Sequence, residues 1–257
     1  MTLELVNLLG FTQALLWHGF LVFLRVGAAV SMLPAFGERS VPVKVKLVLA
    51  LAFTCIVAPA VSEFETIESL DSHGRYVMTE TISGLALGIG IRLFVLALQT
   101  AGAIAANATS LSQVLGGAAA DPLPAISYIL VIAGLALAVL TGLHIRAAEL
   151  LILSYDILPP GAFPDARSLS SWGLSQVARA FSLAFVLAAP FVIVSVIYNL
   201  TLGVINKAMP QLMVAFVGAP VITAGGLFVL FLVSPLLLTV WGNALNGFLD
   251  NPFGSVP

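Results

Sequence analysis

The chain alternates long apolar stretches with short polar clusters, and this pattern predicts helices that cross a membrane. A helix needs about 20 mostly apolar residues to span roughly 30 Å of hydrocarbon. Six stretches are candidates, namely Phe11–Leu24, Leu47–Ala60, Ile82–Ile104, Leu123–Leu143, Ala180–Ile205 and Leu212–Leu249. We therefore predict an all-α integral membrane protein with about six hydrophobic helical segments in hairpins, some of them broken or short of a full span.

The first two segments are short, and the last is too long for one span. In Leu212–Leu249, the residues Pro220, Gly225, Gly226 and Pro235 offer places for a break. We find no boundary between independent domains, so residues 1–257 are predicted to form a single helical membrane domain.

The linkers differ in charge, which predicts an orientation. Glu38–Lys46 is basic on balance, Ser62–Glu80 is strongly acidic, and Ser154–Ser175 is rich in Pro, Gly and Ser. The excess of Lys and Arg in cytoplasmic loops places the basic linker inside and the acidic linker outside.

Composition strengthens the membrane assignment and excludes several functions. Hydrophobic residues make up 60% of the chain, charged residues only 9%, and the mean hydropathy is +1.10. Soluble domains carry roughly 25% charged residues, so this chain has too few charged residues to cover a water-facing surface. A formal net charge of −2 does not provide the excess of positive charge that binds nucleic acid. Cys55 is the single cysteine, which excludes an internal disulfide.

Small residues recur at helical spacing and predict close helix contacts. Gly84 and Gly88 lie four residues apart, and Gly134, Ala138 and Gly142 repeat that spacing. Such residues share one face of a helix and let a second helix approach closely in lipid.

Four charged residues, Arg25, Glu80, Arg92 and Glu149, lie within or beside apolar stretches. An ionised residue facing lipid costs a few kcal/mol, so each is expected to face protein, water or a headgroup. For Arg25 and Glu80 we favour pairing or snorkelling at a helix end over a proton relay. No segment carries the ladder of acids that a proton-driven transporter needs.

Motifs of catalysis are absent from the sequence, so we predict no enzyme and no cofactor or metal. The three histidines, His18, His73 and His144, are scattered. We interpret His144 with Arg146 and Glu149 as a cluster at the membrane margin rather than a site.

The stretch Asn107–Pro122 is polar and Gly-rich, yet it has no charge before Asp121. Irregular backbone here must be covered by protein or line a cavity, because lipid would leave it without hydrogen bonds. Two interpretations stay open: a mobile loop that obstructs a passage, or an ordinary polar turn between helices.

Three stretches resemble the FliR family of export-gate proteins, including its injectisome counterpart SctT. They are Arg25–Pro34 with its continuation to Pro59, Gly102–Pro122, and Asn199–Leu212 followed by Val217–Pro220. The most specific part is Asn206-Lys207 followed by Pro210-Gln211-Leu212 after a Leu-Gly helix.

The resemblance implies a non-enzymatic subunit of the flagellar type III secretion export gate in the bacterial inner membrane, at the flagellar basal body. Its implied partners are homologues of FliP and FliQ, with FlhB and FlhA nearby, and unfolded flagellar proteins as the exported substrates. By the same resemblance the N-terminal part is FliP-like and a C-terminal hairpin is FliQ-like. Flagellar and virulence secretion are not distinguished by the chain.

The resemblance also implies roles for individual residues. The family's channel plug corresponds to Asn107, Ser110, Leu111, Ser112, Gln113, Val114, Leu115, Gly116, Gly117, Asp121 and Pro122. Subunit packing and a hairpin turn correspond to Gly84, Gly88, Asn206, Lys207, Pro210 and Gln211. Family plugs often carry Met or Phe, whereas this stretch offers only Leu111, Val114 and Leu115 as large apolar residues.

The sequence supports two other functions less well. A small-molecule transporter or channel of the inner membrane needs polar residues converging within the spans, and few are available. An intramembrane enzyme is disfavoured because the catalytic motifs are missing.

Overall fold

A computed structural model describes residues 2–38, 40–62, 64, 70–109, 125–209 and 214–254. These residues form seven α-helices and one short 3₁₀ turn, with no strand among them. The helices are α1 (Thr2–Met32), α2 (Val43–Val57), α3 (Leu70–Thr109), α4 (Ala125–Leu140), α5 (Leu143–Ile157), α6 (Ala166–Ala208) and α7 (Val214–Asp250). The 3₁₀ turn, Ala58–Ala60, follows α2 directly. The all-α prediction is confirmed.

Five helices in the described part of the chain are long and apolar enough to cross a membrane. Helices α4 and α5 form a further span if they are counted together, although they meet at an angle of 71°. The bend lies at Gly142, whose φ of +87° is in the left-handed region that favours glycine. The prediction of about six hydrophobic helical segments, some of them broken or short of a full span, is therefore confirmed.

Several helices extend beyond the predicted apolar stretches. Helix α3 begins at Leu70, inside the acidic linker, and α6 begins at Ala166, fourteen residues before the predicted Ala180. Helix α5 contains the charged cluster around Arg146 and was not predicted as a separate element. Hydropathy marks only the apolar part of a helix, whereas backbone hydrogen bonding continues through its polar ends.

Helix α7 corrects the prediction of a break within Leu212–Leu249, because it runs unbroken from Val214 to Asp250. Proline is tolerated within apolar helices where neighbouring groups satisfy the freed backbone. Gly226 serves close packing: a β-carbon on it would lie 2.6 Å from the Thr109 side chain. The glycine therefore indicates a contact with α3 rather than a helix end.

The chain divides into two compact units, and the single helical membrane domain stays a prediction. Unit 1 contains Met1–Arg92, Val139–Gln176 and Asn246–Pro257, and unit 2 contains Leu93–Ala138 and Val177–Leu245. The three longest helices contribute residues to both units. The FliP-like and FliQ-like division stays a prediction.

In unit 1, α1 packs against α2, and α2 also contacts α5. The buried face of α1 repeats at helical spacing through Leu21, Val22, Val26, Ala29 and Val30. This spacing explains how so apolar a helix still has a defined inner face.

In unit 2, Trp241 of α7 is fully buried, and its indole nitrogen donates to the carbonyl of Phe94 at 2.9 Å. Gly134 of α4 makes room beside it, since a β-carbon there would lie 2.4 Å from the Leu98 side chain. A β-carbon on Gly102 would likewise lie 2.2 Å from the α-carbon of Ser127. Gly134 thus lies at a close helix contact, as its spacing predicts, and Gly102 marks a second contact that was not predicted.

Helix α6 is buried along a narrow stripe and is otherwise exposed. The stripe consists of Gln176, Ala184, Leu187, Ala188, Phe191 and Ser195. Large apolar side chains are exposed beyond it, including Ile197 at 60%, Leu200 at 70% and Val204 at 63%. Such a surface is stable only against lipid or other apolar protein.

Candidate functional site

A fully buried ion pair ties three helices of unit 1 together. The guanidinium of Arg25 on α1 donates two hydrogen bonds to the carboxylate of Glu80 on α3, at 2.8 and 3.0 Å. It also donates to the Ser154 hydroxyl at 3.1 Å and to the Leu158 carbonyl at 2.8 Å. Neither charged side chain is exposed.

The ring of Tyr155 completes this cluster, which we call the Arg25 cluster. The guanidinium carbon lies 3.7 Å from the ring centroid, in a cation–π arrangement. Of the two expected roles, pairing or snorkelling at a helix end, the structure shows pairing, because both side chains are buried and bonded to each other. A paired charge with satisfied donors suits a structural joint, since a relay group must reach water or another carrier.

Sequence reasoning missed Ser154, Tyr155 and Leu158, which supply the rest of the cluster. The sequence predicts a loop over Ser154–Ser175, which is rich in Pro, Gly and Ser, yet α5 continues to Ile157. The polar residues at its end were the available signal.

Gly84 and Gly88 lie against α1 of the same chain. A β-carbon on Gly84 would lie 2.2 Å from the carbonyl oxygen of Arg25, and one on Gly88 would lie 2.9 Å from that of Ala29. The predicted close helix contact is therefore found within the chain. A role for either residue between subunits stays a prediction.

Two charged residues of the first resembling stretch, Glu38 and Lys46, make contacts at the turn between α1 and α2. Arg92 on α3 forms a half-buried ion pair with Glu38, and the Lys46 ammonium donates to the Gly37 carbonyl at 2.9 Å. Pro42 immediately precedes α2. These contacts hold the turn in place. They are made by charged side chains and a backbone carbonyl, and a hydropathy pattern does not reveal such pairings.

The predicted plug begins where α3 ends. Asn107 is helical and exposed, and α3 continues to Thr109, so the first three residues assigned to the loop belong to the helix. Ser110, Leu111, Ser112, Gln113, Val114, Leu115, Gly116, Gly117, Asp121 and Pro122 lie outside the described residues.

The end of α3 is fixed within unit 2 by two contacts. The hydroxyl of Ser195 on α6 donates to the carbonyl of Ala108. Thr109 is buried and lies against Gly226 of α7. The predicted plug therefore starts from an anchored residue, and Ser195 and Gly226 are the anchors that sequence reasoning did not identify.

The predicted hairpin turn follows the end of α6. Asn206 and Lys207 are exposed in its last turn, and the helix ends at Ala208, two residues before Pro210. This confirms that the helix stops ahead of the proline, which cannot donate a backbone hydrogen bond. Pro210 and Gln211 lie outside the described residues.

The histidines are not brought together. His18 contacts the Ala58 carbonyl at 2.9 Å, His73 packs on Trp17 with ring centroids 4.7 Å apart, and His144 is exposed on α5. Arg146, from the predicted margin cluster, pairs with Asp250 at 3.0 Å. Across the described ranges, no group of His, Cys, Asp and Glu side chains has the arrangement of a metal site.

Comparison with known proteins assigns the family. Residues 16–248 match the family described as bacterial export proteins, family 1. A flagellar biosynthetic protein FliR of Caulobacter vibrioides is 32% identical over 236 residues, which cover 90% of this chain and 93% of that protein. Proteins of the same name from Escherichia coli and Aquifex aeolicus are 29% and 26% identical, over 85% and 89% of this chain and 84% and 89% of theirs. The resemblance to the FliR family is confirmed, and the chain belongs to the bacterial export proteins, family 1.

Proposed function

We propose that this chain is a subunit of the flagellar type III secretion export gate in the bacterial inner membrane. With homologues of FliP and FliQ it forms the channel for unfolded flagellar proteins, near homologues of FlhB and FlhA. The observation that carries the proposal is the match over residues 16–248, together with relatives that share the name flagellar biosynthetic protein FliR. The chain acts without catalysing a reaction.

The apolar surface of α6 supports this role. Beyond Ser195, no described side chain of α6 is buried, although Ile197, Leu200 and Val204 are large and apolar. Partner subunits of similar hydropathy would cover such a surface, as in any obligate assembly.

The anchored end of α3 supports a gating role for the segment after it. A plug must move without unfolding the helices that carry it, and the Ser195–Ala108 hydrogen bond fixes its starting point. The Arg25 cluster, buried in unit 1, gives rigidity to α1, α3 and α5.

Co-purification tests the assembly. The full chain, affinity-tagged and produced in its flagellated host, is extracted in mild detergent, and an unrelated tagged membrane protein serves as the control. We expect two small hydrophobic proteins, the FliP and FliQ homologues, to be recovered with this chain and not with the control protein. Recovery of the chain without either, from cells that still export flagellar proteins, would contradict the proposal.

A further inference from the structure

A cavity of about 470 Å³ in unit 1 lies where three candidate membrane spans end. Ala60 closes one span, Tyr76 stands three residues inside another, and the α4–α5 pair ends one residue after Asp156. All three residues line the cavity. Its volume is in the range of small-ligand sites, and the ends of membrane-spanning helices lie at the level of lipid headgroups.

Three aromatic rings line this cavity at inclined angles. The centroid of Phe64 lies 6.1 Å from that of Tyr76 and 6.1 Å from that of Tyr155, with interplanar angles of 67° and 46°. Rings at such angles present several π surfaces to one space, which is the arrangement that receives ammonium groups.

The rings are held by specific contacts. Gly161 has a φ of +72°, and a β-carbon there would lie 2.8 Å from the ring of Tyr76, so the backbone itself seats this ring. Tyr155 is 8% exposed and is fixed by the Arg25 guanidinium. Phe64 also packs on His18, with ring centroids 4.8 Å apart. The geometry is therefore built in before any ligand arrives.

The charge at the cavity favours a cation. The carboxylate of Asp156 lines it and forms no ion pair within the part of the chain that the structure describes. Glu80 is already neutralised by Arg25, so it does not supply this charge.

We propose that this cavity binds the ammonium group of an ethanolamine phospholipid. The aromatic faces attract the cation, Asp156 pairs with it, and the acyl chains extend along the apolar helices beside the cavity. The lipid is then a specific ligand of unit 1, independent of the export channel.

Native mass spectrometry of the purified full chain in detergent tests the proposal. Phosphatidylethanolamine is compared with phosphatidylglycerol and with N-acetylated phosphatidylethanolamine, all with the same acyl chains. We expect the ethanolamine lipid to bind about tenfold more tightly than the two lipids without an ammonium group. Equal binding of the three would overturn the proposal.

Matched variants locate the site. Asp156→Asn should lower the preference about tenfold, whereas Glu149→Gln, an exposed carboxylate two turns earlier on α5, should leave it unchanged. Tyr76→Leu should act like Asp156→Asn, and a thermal unfolding curve distinguishes lost binding from lost folding. If free butylammonium binds while the ethanolamine lipid does not, the cavity receives a lysine of another protein and the lipid assignment is wrong.

Discussion

Gly84 and Arg25 are in direct backbone contact: a β-carbon on the glycine would lie 2.2 Å from the arginine's carbonyl oxygen. One helical turn later, Gly88 lies on Ala29 in the same way. Helix α3 can therefore lie close enough to α1 for Glu80 to reach the Arg25 guanidinium. The small-residue face and the buried ion pair form one joint.

Enlarging Gly84 should weaken this joint. Gly84→Ala is expected to cost about 1–3 kcal/mol, because the methyl group forces the two backbones apart. Gly74→Ala is the matched control in the same helix, since nothing lies within 4 Å of its β-carbon position. Thermal unfolding in detergent measures both, and equal stability of the two variants would contradict the contact. Gly88→Leu should in addition impair complex assembly and motility.

Removing both partners of the buried pair should cost less than the two single removals added together. Arg25→Met or Glu80→Leu alone is expected to cost about 3–5 kcal/mol, because each leaves a charge buried without its partner. The double variant should cost less than the sum of the two. The exposed pair Arg146–Asp250 is the control, and Arg146→Met should cost at most about 1 kcal/mol. Additive costs at Arg25 and Glu80 in denaturation experiments would refute the coupling.

Asp165 should make the start of α6 sensitive to acid. Its pKa is lowered because the backbone N–H and the hydroxyl of Ser168 donate to its carboxylate, each at 2.8 Å. The stabilisation is complete above the unfolded carboxyl pKa and is lost as the pH falls through the lowered pKa of the folded state. Hydrogen exchange at residues 166–169, corrected for intrinsic rates, should increase in acid for the wild type.

Asp165→Asn separates the cap from its charge. Asn also caps helices but does not titrate, so this variant should keep its protection in acid, whereas Asp165→Ala should lack it at pH 7. Ser171→Ala is the control one turn away. Identical exchange in all four proteins would show that the Asp165 contacts do not order the helix start.

The turn after α6 should contribute to export. Lys207 is exposed at the end of the helix, and Pro210 prevents the helix from continuing. Combined Lys207→Ala and Pro210→Ala substitutions are expected to lower secretion of flagellar subunits, because the turn is predicted to dock on neighbouring subunits. Lys44→Ala, an exposed lysine on α2, is the control. Normal secretion by the double variant would reduce the turn to a connector.

The sequence predicted the apolar segments well, because the cost of placing charge in lipid leaves a strong signal. It left pairing and snorkelling open for Arg25 and Glu80 and named no partner for either, because no local pattern joins contacts such as Arg25–Ser154, whose residues lie 129 positions apart. Gly226 was wrongly predicted to break a helix, because glycine occurs both at helix breaks and at close helix contacts. Only the position of Thr109 distinguishes the two.

The boundary of the predicted plug was placed too early for a similar reason. Asn107 and Thr109 are polar and favour turns, yet Thr109 donates to the Ala105 carbonyl at 2.9 Å and stays within α3. Its neighbour Ala108 is bonded to Ser195, so tertiary contacts override the local preference.

We predict that the segment after Thr109 closes the export channel at rest. Leu111, Val114 and Leu115 are the apolar residues available to form a constriction, and such a constriction blocks ions by dewetting without any charge. Replacing these three residues by Ser keeps the length of the segment and should open it partly. Ser110→Ala with Ser112→Ala should leave it closed.

The most direct test is ion conductance of the assembled complex after deletion of Ser110–Gly116. Co-purification of the partner subunits first establishes that the deletion variant still assembles. We expect the complex with the deletion to leak ions or small molecules across the membrane, whereas the wild-type complex does not. Unchanged conductance in an intact assembly would contradict it and leave the segment a plain turn between helices.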